Sequence, residues 1–410
     1  MKKKSKKNSK WRRPRHRLVR NVVSLIFSPV VRRKYGVRVE RFADQGKRPY
    51  FILFNHQTAY DQFFVGMAFR GPVYYVASED LFSDGFVSSL IRYLVAPIPI
   101  RKQTTDVRAI MNCIKVAKEG GTIAIAPEGN RTYSGRTGYM SPAVASLAKK
   151  LGLPIAIYRI EGGYYVHPRW ADDRRKLAEG GMRGYVSRVI EPEEYSLLTD
   201  AQLFDIISRE LAVDESTPSA VAVRSNSRAE GLERAMYVCP ECGVSSFTSE
   251  GNAISCNKCG WRAELDPFYA ITDTAGRFSN IGQWYDYQQS HILSLDPDTL
   301  TDRPVTVDDG ITLSKVILYK KKQLIAEDAS LRLYGDRIEL YSGEELLRAF
   351  PFADCAAVTV LGKNKCNIYF GSEVLQLKGM RGMSALKLVN FFHNYKNKHS
   401  EVTHGEFLGL

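Results

Sequence analysis

No acidic residue precedes Glu40. The first 39 residues hold fifteen Lys and Arg, and the whole 410-residue chain carries a net charge of +14. The remainder is therefore near neutral, and the excess charge sits in an N-terminal basic arm. The chain also lacks an apolar run of the roughly 18–20 residues that a membrane-spanning helix needs. The longest early candidate, NVVSLIFSPVV, is broken by Ser24, Ser28 and Pro29. It has no small-x-small cleavage site, and Arg32, Arg33 and Lys34 follow at once, which argues against a secretory signal. Cysteine is scarce: there are seven, an odd number, and four of them come in Cys-x-x-Cys pairs. That usage excludes a disulfide frame and points to a reducing compartment with a metal site. No repeat of 20–50 residues is present.

What is there begins with the arm. Apolar positions 18, 19, 22, 26 and 30 fall near helical spacing between basic flanks. This suits a helix lying in the interface of an anionic membrane. The plainer alternative is a solvated tail leading into a core helix. Residues 1–39 are taken as this segment, and 40–212 as an α/β domain. Within it, PYFILFN, PVYYVA, APIPI, TIAIA and LPIAIYRI read as extended pieces. They alternate with helical patterns, among them DVRAIMNCIKVAKEG and LTDAQLFDIISRELA. The alternation predicts a mixed, largely parallel sheet flanked by helices. Residues 213–236 read as a linker, 237–275 as a Cys-rich module and 276–304 as a connecting helix. Residues 305–400 read as seven short β segments closed by one helix.

PYFILFNHQTAYDQFF holds the chemistry. A buried strand ends at His56, with Asp61 five residues on. Ligands of open α/β sheets sit at the carboxyl ends of strands. An imidazole there can take a proton from a hydroxyl if a carboxylate fixes its other nitrogen. On one continuous helix the two side chains would diverge. With His56 in a loop and Asp61 in the first helical turn they meet. The bland alternative is a helix-capping His and a dipole-stabilised Asp. A second strand ends in Pro127-Glu128-Gly129-Asn130-Arg131, and a third extended piece ends in Arg101-Lys102. Arg131 offers a planar fork suited to phosphate, and Gly129 permits close backbone approach.

These blocks resemble those of the glycerolipid acyltransferases, of the 1-acylglycerol-3-phosphate acyltransferase type. NHQTAYD is similar to their Asn-His-x-x-x-x-Asp motif, and APEGNRT to their Phe-Pro-Glu-Gly-Thr-Arg-Ser block. PIPIR and GLPI resemble the second and fourth blocks. Order and spacing agree over residues 40–212, with Ala126 and Asn130 departing from the third block. The resemblance implies acyl transfer from acyl-CoA or acyl carrier protein to the hydroxyl of a lysophospholipid. It implies His56 as general base, Asp61 as its orienter, and Arg101, Glu128, Gly129 and Arg131 about the phosphate. An amide near Gly129 is a candidate oxyanion donor. Such an enzyme is expected on the cytoplasmic side of a membrane, bound peripherally.

Cys239, Cys242, Cys256 and Cys259 form two knuckles thirteen residues apart, each followed by a glycine, Gly243 and Gly260. This resembles a zinc ribbon, and four thiolates imply a closed structural Zn2+ site. A redox pair is the alternative. Ribbons also bind nucleic acid, but Lys258 and Arg262 are offset by Glu241 and Glu250, which is no basic patch. The seven β segments and final helix resemble a PH-like or GRAM-like barrel by pattern alone. The competing function is a scaffold with a decayed site, using its basic arm for nucleic acid or membrane. Retention of His56, Asp61, Glu128 and Arg131 argues against decay.

Overall fold

The structure is a computed structural model, and it describes residues 10–43, 48–101 and 106–399. The lysines before residue 10, Lys102 and residue 400 lie outside that set.

A long first helix, α1 (Pro14–Tyr35), starts with proline at its first turn and ends at Gly36 in the left-handed conformation. The sheet domain then runs β1 (Arg38–Val39), β2 (Phe51–Phe54), α2 (Asp61–Ala68), β3 (Val73–Ser78), α3 (Phe86–Val95), β4 (Ile98–Ile100), α4 (Val107–Lys118), β5 (Thr122–Ile125), α5 (Ala143–Leu151) and β6 (Ile155–Glu161). It closes with α6 (Gly163–Val166), β7 (Lys176–Leu177), β8 (Arg183–Ile190), α7 (Pro192–Ser196) and α8 (Asp200–Leu211). Asp106 caps α4 by accepting from the Ala109 amide, and Thr199 with Gln202 forms a capping box on α8.

Seven strands form one sheet in the order β1-β8-β6-β2-β5-β3-β4. All neighbours are parallel except β6 and β8, which run antiparallel. The expected mixed, largely parallel sheet is therefore present. Its antiparallel member, RGYVSRVI, carries too many polar positions to stand out as a strand in the sequence. The central β2 buries all four residues, Phe51 to Phe54, because helices cover both faces. Each such side chain contributes roughly 1.5–3 kcal/mol of burial.

The stretch 213–236 is packed, not free. Val213 donates its amide to Thr137 Oγ1 at 2.8 Å. Glu215 is buried and accepts from the amides of Gly162 and Tyr164. After β9 (Val223–Arg224) come β10 (Val238–Cys239), β11 (Gly243–Val244), β12 (Phe247–Glu250), β13 (Ala253–Cys256), β14 (Arg262–Leu265) and β15 (Ile271–Asp273). Helix α9 (Ile281–Ser294) sends Trp284 and Gln288 inward.

The C-terminal region is a single antiparallel sheet ordered β19-β18-β17-β16-β22-β21-β20, a half-barrel. Its strands are β16 (Thr306–Lys315), β17 (Gln323–Leu333), β18 (Arg337–Ser342), β19 (Glu345–Pro351), β20 (Cys355–Leu361), β21 (Lys365–Phe370) and β22 (Glu373–Lys378). Helix α10 (Ala385–His399) packs on it. One core joins the pieces: Trp170 of the sheet domain, Trp261 of the Cys-rich module, Trp284 of α9 and Leu388 of α10 belong to the same buried cluster. The Trp261 and Trp284 ring centroids lie 4.9 Å apart.

Candidate active site

The site is built where β2 and β5 end side by side. Asn55 extends the ladder beyond β2: its amide nitrogen donates to the Ile160 carbonyl at 2.8 Å, and its oxygen accepts from the Ile160 amide at 2.7 Å. This stops the strand at a fixed point and turns His56 out of it. Asp61 opens α2 with its carboxylate fully buried. It accepts from the amides of Gln57 (2.7 Å) and Thr58 (2.9 Å) and from the Thr58 hydroxyl (2.6 Å). These donors hold it against His56 Nδ1, 2.7 Å from Asp61 Oδ2. The expected meeting of the two residues is thus present, with His56 in the loop and Asp61 in the first turn. With Nδ1–H pinned by a carboxylate, Nε2 is the nitrogen left with a basic lone pair. The His56 side chain keeps 25 % of its surface, while Asp61 keeps none.

The β5 loop is sewn to this one. Glu128 accepts from the His56 amide at 2.7 Å and, through its other oxygen, from the Gly138 amide at 2.6 Å. The Thr132 amide donates to the His56 carbonyl at 3.1 Å. Burial pushes the Glu128 carboxyl up to about 8, against the pull of the two amides. Glu128, expected about the phosphate, has both oxygens on main-chain amides, so its carboxyl ties the two loops together. Gly129 adopts φ +69° with open space where a Cβ would stand. Its own amide donates to the Ala126 carbonyl at 3.0 Å, so that amide does not serve as an oxyanion donor.

A cavity of about 1300 Å³ opens beside the dyad. His56, Arg101, Glu128, Gly129 and Asn130 line it, together with apolar walls that include Val23, Phe27, Phe63 and Met67. Arg101 sits on this wall, its Nε 3.7 Å from Glu79. Arg131 does not reach the wall. Its guanidinium is buried, and Nη1 has no hydrogen-bond partner among the described residues. Burial, with Arg169 nearby, lowers it to about 10, so it stays cationic. Arg169 donates to the Arg131 carbonyl at 2.9 Å and to the Gly362 carbonyl at 3.0 Å. His167 is held neutral, pushed down to about 3 by burial and by Arg131. The structure thus brings His56, Asp61, Glu128 and Gly129 together, adds Arg101 at the cavity, and leaves Arg131 buried off the cavity wall.

Sequence reasoning missed the roof. Ala356 and Ala357 of β20 and Phe392, His393 and Lys396 of α10 line the same cavity. The half-barrel is pinned over the strand ends by Lys322 on Asp80 at 2.5 Å and by Lys363 on Asp172 at 2.9 Å. No local motif signals these contacts, because they join segments more than 150 residues apart.

The four cysteines converge separately. Their sulfurs all lie within 4.8 Å of one another, with Cys239–Cys259 at 3.5 Å and Cys242–Cys256 at 3.6 Å. A tetrahedral ion with about 2.3 Å bonds to sulfur spaces its ligands by roughly 3.8 Å, so the set fits Zn2+. Gly243 and Gly260 share φ +76°, one left-handed turn in each knuckle.

The geometry is a His–Asp dyad at the strand ends of an α/β sheet, beside a cavity. Residues 32–161 match the model of the acyltransferase family. The crystal structure of the 1-acyl-sn-glycerophosphate (LPA) acyltransferase, PlsC, from Thermotoga maritima is similar, with 19% identity and a TM-score of 0.34 over 48% of this chain and 93% of that one. No curated protein sequence matches the chain.

Proposed function

We propose that the chain transfers an acyl group from a thioester, acyl-CoA or acyl carrier protein, to the free hydroxyl of a lysophospholipid, 1-acylglycerol-3-phosphate first among them. The observation that carries this is the 2.7 Å contact between His56 and a buried Asp61 beside a large, mainly apolar cavity. His56 Nε2 takes the hydroxyl proton as the oxygen attacks the thioester carbonyl. The tetrahedral intermediate collapses, the C–S bond breaks, and the imidazolium returns its proton to the thiolate. Asp61 holds the tautomer and steadies the imidazolium. Arg101 at the wall and the buried Arg131 supply positive charge for the phosphate, and the apolar walls take the acyl chains.

The cysteine set would hold one structural Zn2+; four protein ligands leave no open position for catalysis by it. The half-barrel with α10 is read as PH-like, here serving as the cavity's roof. Among the described residues no helix is long and apolar enough to cross a membrane. Helix α1 is read as lying in an anionic membrane interface on the cytoplasmic side.

The test is purified protein, acyl-CoA or acyl carrier protein, and a panel of lysolipids. Transfer to a phosphate-bearing lysolipid, lost in His56→Ala, is the expected result. Near-normal transfer by that variant would rule out the mechanism.

A further inference from the structure

Large apolar side chains stand exposed on three neighbouring elements. On α1, Leu18, Leu25 and Ile26 are 66%, 79% and 57% exposed. On α3, Phe86, Val87 and Tyr93 are 80%, 55% and 59% exposed. The turn between β16 and β17 adds Leu318 and Tyr319, 42% and 40% exposed, followed by the exposed Lys320 and Lys321. Exposed apolar side chains gathered on adjoining elements mark an interaction site.

Direct contacts join the three elements. Arg15 of α1 lies 4.0 Å over the Tyr93 ring and donates to the Tyr93 carbonyl at 2.8 Å. Arg92 of α3 lies 4.7 Å over the Tyr319 ring. The Tyr319 amide donates to the Phe82 carbonyl at 2.7 Å, and the two rings meet edge to face. Tyr319 holds φ +66°, a left-handed conformation rare for a bulky residue, which such surroundings must impose. The turn is therefore fixed beside α3 with Leu318 and the lysines outward.

The charge of this face names its occupant. Its exposed ionic groups include Arg12, Arg13 and Arg17 before the apolar stripe, Arg32 and Arg33 after it, and Arg92, Lys320 and Lys321 beyond; α1 itself has no acid, and Asp84 stands beside Lys321. An apolar centre with a cationic rim complements an anionic bilayer. The cavity adds a reason: Val23 and Phe27 of α1 and Ile91 and Val95 of α3 line its wall, so the two helices stand between that face and the dyad.

We propose that α1, α3 and the Leu318–Lys321 turn form one surface that docks on an anionic phospholipid bilayer, so that the C-terminal half-barrel is itself a membrane-contacting element. This extends the membrane reading of α1 and rests on it. The test is flotation of the full chain with vesicles of phosphatidylcholine alone or mixed with phosphatidylglycerol. A turn variant combining Leu318→Glu, Lys320→Glu and Lys321→Glu should partition onto the mixed vesicles about tenfold more weakly or worse. Its transfer to detergent-dispersed lysolipid should be unchanged. A Leu25→Glu, Ile26→Glu variant should lose binding too. Wild-type partitioning of the turn variant overturns the proposal while leaving α1 in place; wild-type partitioning of both overturns the membrane reading itself. Should the turn variant misfold, Leu318→Trp decides: brominated lipid must quench added fluorescence over wild type, and no added quenching overturns the proposal.

Discussion

The dyad loop and the cysteine knuckles face the same problem and settle it oppositely. Each must hold reactive side chains in a fixed geometry on non-regular backbone. The loop does so with three donors on Asp61 and two amides on Glu128, leaving the imidazole partly open to a cavity. The knuckles converge four thiols on one point, with Cys239 and Cys256 buried and Cys259 at the surface, and all four available to one ion. The first arrangement suits turnover and the second suits stability, because catalysis needs a vacant position and a structural ion needs none.

The largest effect should come from breaking the dyad. His56→Ala is expected to lower kcat by about 10²–10⁴-fold in an acyl-transfer assay while metal content stays at one zinc per chain. Breaking the knuckles should do the reverse. Cys239→Ser or strong chelation should remove the zinc and raise amide exchange across residues 237–275 and α9, since they share one core. Activity should fall only as the roof loosens. Full stability and no bound metal in the native chain would refute the zinc reading.

Glu128→Gln sharpens the contrast, because it leaves the dyad intact and disturbs its support. The amide can satisfy one of the two N–H donors and opposes the other, which costs about 1–3 kcal/mol. In the native chain Glu128 titrates near 8, against an ordinary 4.5 when unfolded. Between those values the folded state holds the extra proton. Its share of stability is thus present at low pH and is lost as pH rises through about 8. Thermal melts of Glu128→Gln should lack that slope; an identical pH profile would remove Glu128 as its source. The smallest effect concerns the roof. Lys396 lines the cavity, and its ammonium donates to the Ala353 carbonyl at 3.2 Å. Lys396→Glu should raise KM for an anionic lysolipid several-fold, with kcat nearly unchanged. An unaltered KM would leave α10 a passive wall.

Legibility follows the range of the interactions. His56 and Asp61 are readable because five residues of chain bring them together. The seven C-terminal strands are readable from alternation with period two. Glu128 stands out in the sequence, but its role does not. A carboxylate beside an arginine looks like a phosphate site, and the amides it serves are not visible in the sequence. Arg131 stands out too, yet its burial close to Arg169, which donates to the Arg131 carbonyl, is not written in its own segment. Strand β8 escapes because a strand against the solvent side of a sheet need not be apolar.

By itself the order of residues determined the strand ends, the dyad spacing, the paired knuckles and the basic arm, all set by local geometry and side-chain chemistry. Only the tertiary structure decided which groups line the cavity and that a domain about 300 residues downstream roofs it. Such contacts are fixed by how separate faces pack, and no short window of sequence records that.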